Sequence, residues 1–349
     1  MAGTGPRRPT ISDIARLAGV SKGAVSYALN NRPGVSQATR ARVLQIADEL
    51  GWIPNSTARA LSGARADAVG LVLSRSVSSL GVDTFFMDFL AGLQSELSPR
   101  GVSLLLQLVS DHESAVEVYR RWWQGGRVDG VLVMDVFDVD CRLPAVRELG
   151  VPALVVGGPE GVDGFDCLWS DDAGAMTDAV TYLAGLGHRR IARVAGPAQM
   201  HHTTARTEAF HATAAALGVQ EAVVRHAEIP DALGVEVTRE LLATTPRPTA
   251  VVYDDNVMAV AGLGVATEMG IGVPTEVSLL AWDDSPLCRM THPPLSAMYR
   301  DVTRFGAQAG GLLLRVIDGE RVGPVSGEPA GLAVRSSTGP PPGDVPVEA

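Results

Sequence analysis

The chain has 349 residues, 46% of them hydrophobic and 19% charged, which suits a folded globular protein of two or three domains and excludes a disordered one. Apolar runs such as Val102–Leu106 are far shorter than the ~20 residues a membrane span needs, and the N-terminus MAGTGPRRPT has no apolar segment behind its arginines, so neither a membrane protein nor a secretory signal is expected. The net charge of −10 is unevenly spread. Residues 1–66 hold nine Arg/Lys against three Asp/Glu, or +6, which leaves −16 for the remainder. A basic head on an acidic body points to a head that binds a polyanion. Cys141, Cys167 and Cys288 lie far apart without a CxxC, so no disulfide scaffold or zinc module is expected and a reducing cytoplasm fits.

Thr10-Ile-Ser-Asp13 reads as a capped helix start, followed by Ile14, Leu17 and Ala18 at helical spacing. Gly19 is placed to end that helix in the left-handed conformation, and Ser21 to cap a second helix over about Lys22–Leu29. The second helix turns Val25, Ala28 and Leu29 inward and Lys22, Gly23, Ser26 and Tyr27 outward. A third helix is predicted from near Ser36 to Gly51, burying Val43, Ile46, Ala47 and Leu50. Two short helices around a tight turn form a helix-turn-helix, whose second helix fits the major groove. The alternative is a three-helix packing module; the polar, cationic outer face of the second helix, with Arg40 and Arg42 nearby, argues against it. Residues 54–63 run from Pro54-Asn55 to Gly63, two turns at most, too short for a stable isolated helix. Ala58 and Leu61 share one face of it, which leaves open a plain linker with Leu61 packed on the body.

From Asp67 onward, apolar strand candidates alternate with helical stretches. The strands are 69–73, 102–108, 128–133, 153–156, 191–194, 223–227, 250–253 and 277–282. The helices include 83–97, 114–124, 172–184, 205–217, 234–243 and 256–269. Near-continuous apolar strands separated by helices imply an α/β fold with parallel sheets covered on both faces, and the length suits two doubly wound subdomains. Ligands in such sheets sit beyond the carboxyl ends of the strands. That rule selects Asp135, Asp254-Asp255 and Asp283-Asp284, with Arg206 after the Gly196-Pro197 loop and Phe85-Phe86 opening the first body helix. Carboxylates, a guanidinium and an aromatic face around one cleft suit a polyhydroxyl ligand. Each aspartate has the competing role of helix N-cap, the favoured role for Asp172 and an even alternative for Asp254. His201-His202, adjacent on an expected loop without a carboxylate at ligand spacing, give no metal site. No cofactor motif, P-loop, GxSxG or Ser-His-Asp order appears, so an enzyme is not expected. The Ser-Ser-Thr-Gly-Pro-Pro-Pro segment reads as a frayed tail.

Thr10-Ile-Ser-Asp-Ile-Ala-Arg-Leu-Ala-Gly-Val-Ser21, then Val25-Ser26, Leu29-Asn30, Val35-Ser36, Thr39-Arg40, Leu50-Gly51-Trp52, Pro54-Asn55 and Ala58-Arg59-Ala60-Leu61 resemble the LacI/GalR family of bacterial transcriptional regulators, nearly without gaps over sixty residues. The resemblance implies operator contacts by Thr10, Ser21, Lys22, Gly23, Ala24, Ser26, Tyr27, Asn30 and Arg40, and by a hinge helix that carries Asn55, Ala58 and Leu61 into the minor groove. Leu61 matches the family's wedging leucine, and wedging kinks a duplex. Ala24 and Tyr27 depart from the common threonine and arginine. For the body, the resemblance implies a periplasmic-binding-protein-like core with chain crossings near 168–171, 297–301 and 323–330. Arg206, Asp283 and Asp255 match effector-contact positions, Gly157 stands where some members place an aspartate, and Asn256 stands where Asp is usual. Effector contacts are therefore expected from Phe85, Asp135, Gly157, Arg206, Asp255 and Asp283. The implied organisation is a disordered 1–9, a head at 10–53, a hinge and linker at 54–66, and a core at 67–339. The core divides into an N-subdomain at about 67–169 and 300–325 and a C-subdomain at about 170–299 and 326–339, before a tail at 340–349. The expected protein is a homodimeric repressor of a palindromic, double-stranded operator, governed by a small carbohydrate effector. A solute-binding protein of sugar uptake shares the core fold and is the competing class, disfavoured by the basic head.

Overall fold

The computed structural model describes residues 9–30, 32–52, 65–74, 84–162, 164–227 and 233–343. The expected hinge at 54–63, with Asn55, Ala58 and Leu61, lies outside the described residues, as do the first eight residues and the last six. The chain divides into two compact units, Met1–Ala64 and Arg65–Ala349.

In the first unit, α1 (Ile11–Ala18), α2 (Lys22–Leu29) and α3 (Gln37–Glu49) pack around Ile14, Ala18, Val25, Ala28, Val43 and Ala47. The local chemistry explains each boundary. Asp13 accepts from the Thr10 amide at 2.9 Å and from its hydroxyl at 2.7 Å. Gly19 takes φ +65°, which ends α1 and sends Val20 back to bond the Ala15 carbonyl at 3.1 Å. Ser21 and Ser36 cap α2 and α3 by accepting from the amides of Ala24 and Thr39. Leu17 does not join the core: it is 47% exposed, whereas Ala15, on the same face as Ile14 and Ala18, is buried.

The second unit holds two sheets. The first has the order β11-β5-β4-β3-β1-β2, all parallel, from β1 (Ala68–Leu73), β2 (Ser103–Leu108), β3 (Gly130–Val133), β4 (Ala153–Val156), β5 (Asp166–Trp169) and β11 (Pro324–Ser326). The second has the order β12-β10-β9-β8-β6-β7, from β6 (Arg190–Ala195), β7 (Glu221–His226), β8 (Ala250–Tyr253), β9 (Ser278–Trp282), β10 (Ser296–Tyr299) and β12 (Gly331–Ala333). Only β12 among these pairs antiparallel, against β10. Each sheet has an apolar cluster on both faces, as parallel strands require.

Helices α4 (Thr84–Leu97), α5 (His112–Gln124) and α6 (Arg142–Leu149) follow β1, β2 and β3. Helices α7 (Asp172–Gly185), α8 (His201–Ala216), α9 (Val235–Ala243) and α10 (Asn256–Glu268) alternate with the strands of the second sheet, and the short α11 (Pro286–Met290) precedes β10. The chain leaves the first sheet after Trp169, returns after Tyr299 through α12 (Val302–Ile317), and leaves again after Ser326. Strands β5, β10, β11 and β12 are absent from the eight strand candidates because they are three or four residues long and, β12 apart, carry polar residues. The supposed frayed tail is ordered: Ser337 is buried and donates to the Leu279 carbonyl at 2.6 Å, and His188 reaches the Gly339 carbonyl at 2.9 Å.

Helix α12 packs along α4 so closely that two glycines are required. A Cβ at Gly92 would lie 1.8 Å from the Thr303 carbonyl oxygen, and one at Gly306 2.1 Å from that of Phe89. Contacts that short force the helices apart. Gly306→Ala is therefore expected to lower unfolding free energy by about 2–3 kcal/mol in urea titrations, whereas alanine at Gly311, which meets no neighbour, leaves it unchanged or raises it.

Candidate functional site: a charged cleft between two sheets

The carboxyl ends of β1, β3, β4 and β5 face those of β6, β8 and β9 across a cavity of about 520 Å³, within the range of small-molecule sites. Phe85, Asp135, Gly157, Arg206, Asp255 and Asp283 all line it. Asp135, one residue beyond β3, and Asp283, directly after β9, have φ of +53° and +60°, left-handed backbone that turns the chain at each strand end. A Cβ at Gly157 would make only ordinary contacts, with Val136 at 3.5 Å and Val155 at 3.9 Å.

Arg206 is buried with its guanidinium carbon over the Trp282 ring, 4.1 Å from the centroid. Its Nε and Nη2 donate to the same oxygen of Asp172 at 2.8 and 2.6 Å, and Nη1 donates to the Asp254 carbonyl at 3.3 Å. Asp283 accepts from Arg300 Nε and Nη2 at 3.0 and 3.2 Å, while Arg300 Nη1 reaches Ser170 Oγ at 2.7 Å. The Arg300 guanidinium also covers the Phe85 ring at 5.0 Å. Beneath the cavity, Arg193 donates to both oxygens of Asp254 at 2.7 Å. Burial opposes the charge of Asp172 and Asp254, yet the cations beside them, Arg206 and Arg300 for the first, Arg193 and Arg206 for the second, hold both below the usual carboxylate range.

These contacts revise one expectation and decide one open alternative. Asp172 is not a helix cap: Asp171 caps α7 by accepting from Gly174, which frees Asp172 to anchor Arg206. Asp254 is not a cap either, because Asp255 takes that role on α10 by accepting from the Met258 amide at 2.6 Å. His201 and His202 sit in the first turn of α8 rather than in a loop.

Among the cavity residues that the sequence reading did not place as effector contacts are Asp172, His202, Asn256 and Arg300. The strand-end rule finds Arg300 only if β10 is recognised, and nothing local sets Asp172 apart from its neighbour. Asn256 is buried and ties the two sides, donating to the Asp283 carbonyl at 3.1 Å and to Thr84 Oγ1 at 3.4 Å. Its Oδ1 has no partner among the described residues. In the head, Ser21, Lys22, Gly23, Tyr27 and Asn30 are exposed, and Ala24 and Ser26 half-buried, along one side of α2. Thr10 is half-buried at the start of α1, and Arg40 donates to the Arg32 carbonyl at 2.7 Å.

Burial, and then the positive charge of Arg206, press the pKa of His202 down to about 4 from 6.5. The folded protein thus keeps this imidazole neutral across a range in which the unfolded chain protonates it. Its contribution to stability is complete above pH 6.5 and is lost as pH falls toward 4. Unfolding free energies measured from pH 7 to 4 should fall by on the order of 3 kcal/mol more in the wild type than in His202→Gln.

Residues 10–55 match the bacterial regulatory proteins of the lacI family, and residues 180–338 match the periplasmic binding protein-like domain. The HTH-type transcriptional regulator CelR of Thermobifida fusca is 33% identical over 325 residues, spanning 91% of this chain and 95% of that protein. A solved CelR–cellobiose complex is 32% identical with a TM-score of 0.71, covering 95% of this chain and all of the other. The lac repressor dimer bound to operator and the anti-inducer ONPF is 25% identical with a TM-score of 0.82, again over 95% of this chain and all of the other. A likeness of this strength, running through head and body alike, makes the chain a member of the LacI family of bacterial transcriptional regulators.

Proposed function

We propose that this regulator is a homodimeric repressor that binds a near-palindromic operator and is controlled by a neutral saccharide held in the cleft. The observation that carries the reading is the joint presence of a helix-turn-helix with a polar outer face and a cavity whose arginines are each matched by a carboxylate. The helix α2 reads only a few base edges, so two heads related by two-fold symmetry supply the rest of the specificity. Lys22 and Tyr27 stand on its exposed side, with Thr10, Ser21, Gly23, Ala24, Ser26, Asn30 and Arg40 around them. Asn55, Ala58 and Leu61 complete the contact through the hinge.

In the cleft, Arg206 and Arg300 are each committed to a carboxylate, and Glu160, Asp171 and Asp135 add further negative charge to its walls. A phosphate or uronate meets repulsion there, whereas hydroxyl groups find acceptors. Phe85 and Trp169 offer ring faces, and Asn256 Oδ1 takes a donor from the ligand. The saccharide in the CelR complex supports the same class of effector here. Thermal unfolding against a panel of neutral, phosphorylated and uronic saccharides tests this, because a ligand of the native state raises the transition temperature. A neutral saccharide should raise it and shift operator affinity, and Arg206→Ala should remove both effects while the ligand-free protein still binds operator. Stabilisation by phosphorylated or uronic sugars alone overturns the assignment.

The dimer contact belongs to the body. On the open edge of the first sheet, Leu106 of β2 is 45% exposed and Met87 of the adjoining α4 is 65% exposed. An apolar edge of this kind is a ready surface for a second copy. Leu106→Arg is expected to yield monomers in sedimentation at micromolar concentration and to weaken operator binding at least tenfold.

A further inference from the structure

The loop from β3 to α6 is held more firmly than a surface connection requires. Buried Arg142 donates through Nε to Asp140 Oδ1 at 2.9 Å, through Nη2 to Asp140 Oδ2 at 2.6 Å, and through Nη2 to the Asp135 carbonyl at 2.9 Å. Asp140 also accepts from the Phe137 amide at 3.1 Å, and the Phe137 ring lies 4.0 Å from the His112 ring. A buried ion pair held by several hydrogen bonds at once specifies one loop conformation. That conformation points the loop tip at the opposite sheet's α8. There Phe137 and Met200 form an antiparallel β-bridge, in which the Asp138 amide donates to the Gln199 carbonyl at 3.0 Å and the His201 amide to the Val136 carbonyl at 2.9 Å. The Asp138 carboxylate adds His201 Nδ1 at 3.1 Å and Thr204 Oγ1 at 2.8 Å. The His201 ring fills the space beside Gly158, where a Cβ would come within 3.3 Å of it.

We propose that Asp138 is a positioning residue: it clasps the two sides of the cleft together and keeps the Asp135 loop in register with the helix that carries His202 and Arg206. Asp138 does not line the cavity, so the clasp acts on the geometry of the site and not on the ligand. Its four cross-cleft hydrogen bonds converge on one loop tip and one helical turn. Separation of the two sides breaks all four together, so the clasp opens as a unit. The inference stands independently of the effector's identity.

The test is amide hydrogen exchange on the ligand-free full-length chain, comparing the wild type with Asp138→Ala, Asp138→Asn and Thr204→Val. In the wild type, the amides at positions 138 and 201 should be protected. Asp138→Ala should accelerate exchange at both by about tenfold or more, as the loss of charge-assisted hydrogen bonds implies. Thr204→Val should give a smaller rise at the same two positions. Asp138→Asn, which keeps an acceptor for Thr204, should fall between the wild type and Asp138→Ala. Exchange in the central strands β1 and β9 should not change. The proposal fails if both amides exchange at unprotected rates in the wild type. It also fails if Asp138→Ala leaves them as protected as before, or if that variant speeds exchange in β1 and β9 as much as at the bridge.

Discussion

Three arginines withdrawn from water set the terms for the cleft. A buried guanidinium is tolerated only when a carboxylate and further acceptors meet its donors. Arg193 takes Asp254, Arg206 takes Asp172 and the Asp254 carbonyl, and Arg300 takes Asp283 and Ser170. These pairs link β6, β8, α7, α8 and the ends of β9 and β10, so the cleft floor cannot shift at one residue without disturbing the next. The arrangement also decides what the site can recognise, since charge already neutralised within the protein is not free to attract a charged ligand.

The two-sheet body places those pairs. Every strand of the first sheet runs parallel, as do all but one of the second, so the loops that follow the strands collect at one end of each sheet. Because the chain passes from one sheet to the other three times, the ends face each other at the crossings. Ser170 and Arg300, bonded at 2.7 Å, lie on two of these strands of passage. Asn256 and Asp138 make contacts across the cleft at separate points, one inside the cavity and one at its margin. A ligand that alters the spacing of the sheets therefore works against a small number of identifiable hydrogen bonds. Any resulting change in operator affinity must be matched by an equal effect of operator on ligand affinity.

In the head, the residues that terminate or cap the helices could be read from the sequence. Gly19, Ser21 and Ser36 act within four residues of their own positions, and such short-range chemistry survives without knowledge of the fold. Phe85, Asp135, Arg206, Asp255 and Asp283 were also legible as neighbours, because the ends of parallel strands must converge, and Gly157 only through the family resemblance. Only the folded chain decides what each side chain does there. Asp171 and Asp172 are adjacent in sequence, yet one caps a helix and the other binds an arginine 34 residues away. Asp254 and Asp255 divide the same way, one reaching Arg193 across 61 residues and the other its own helix. The clasp joins position 138 to 201 and 204, and Gly92 and Gly306 matter only because two distant helices meet there. Helical and strand periodicity, together with capping, is local and so is written in the order of residues. Ion pairing across a cleft depends on which strand ends the crossings bring face to face, and that is fixed only by tertiary structure.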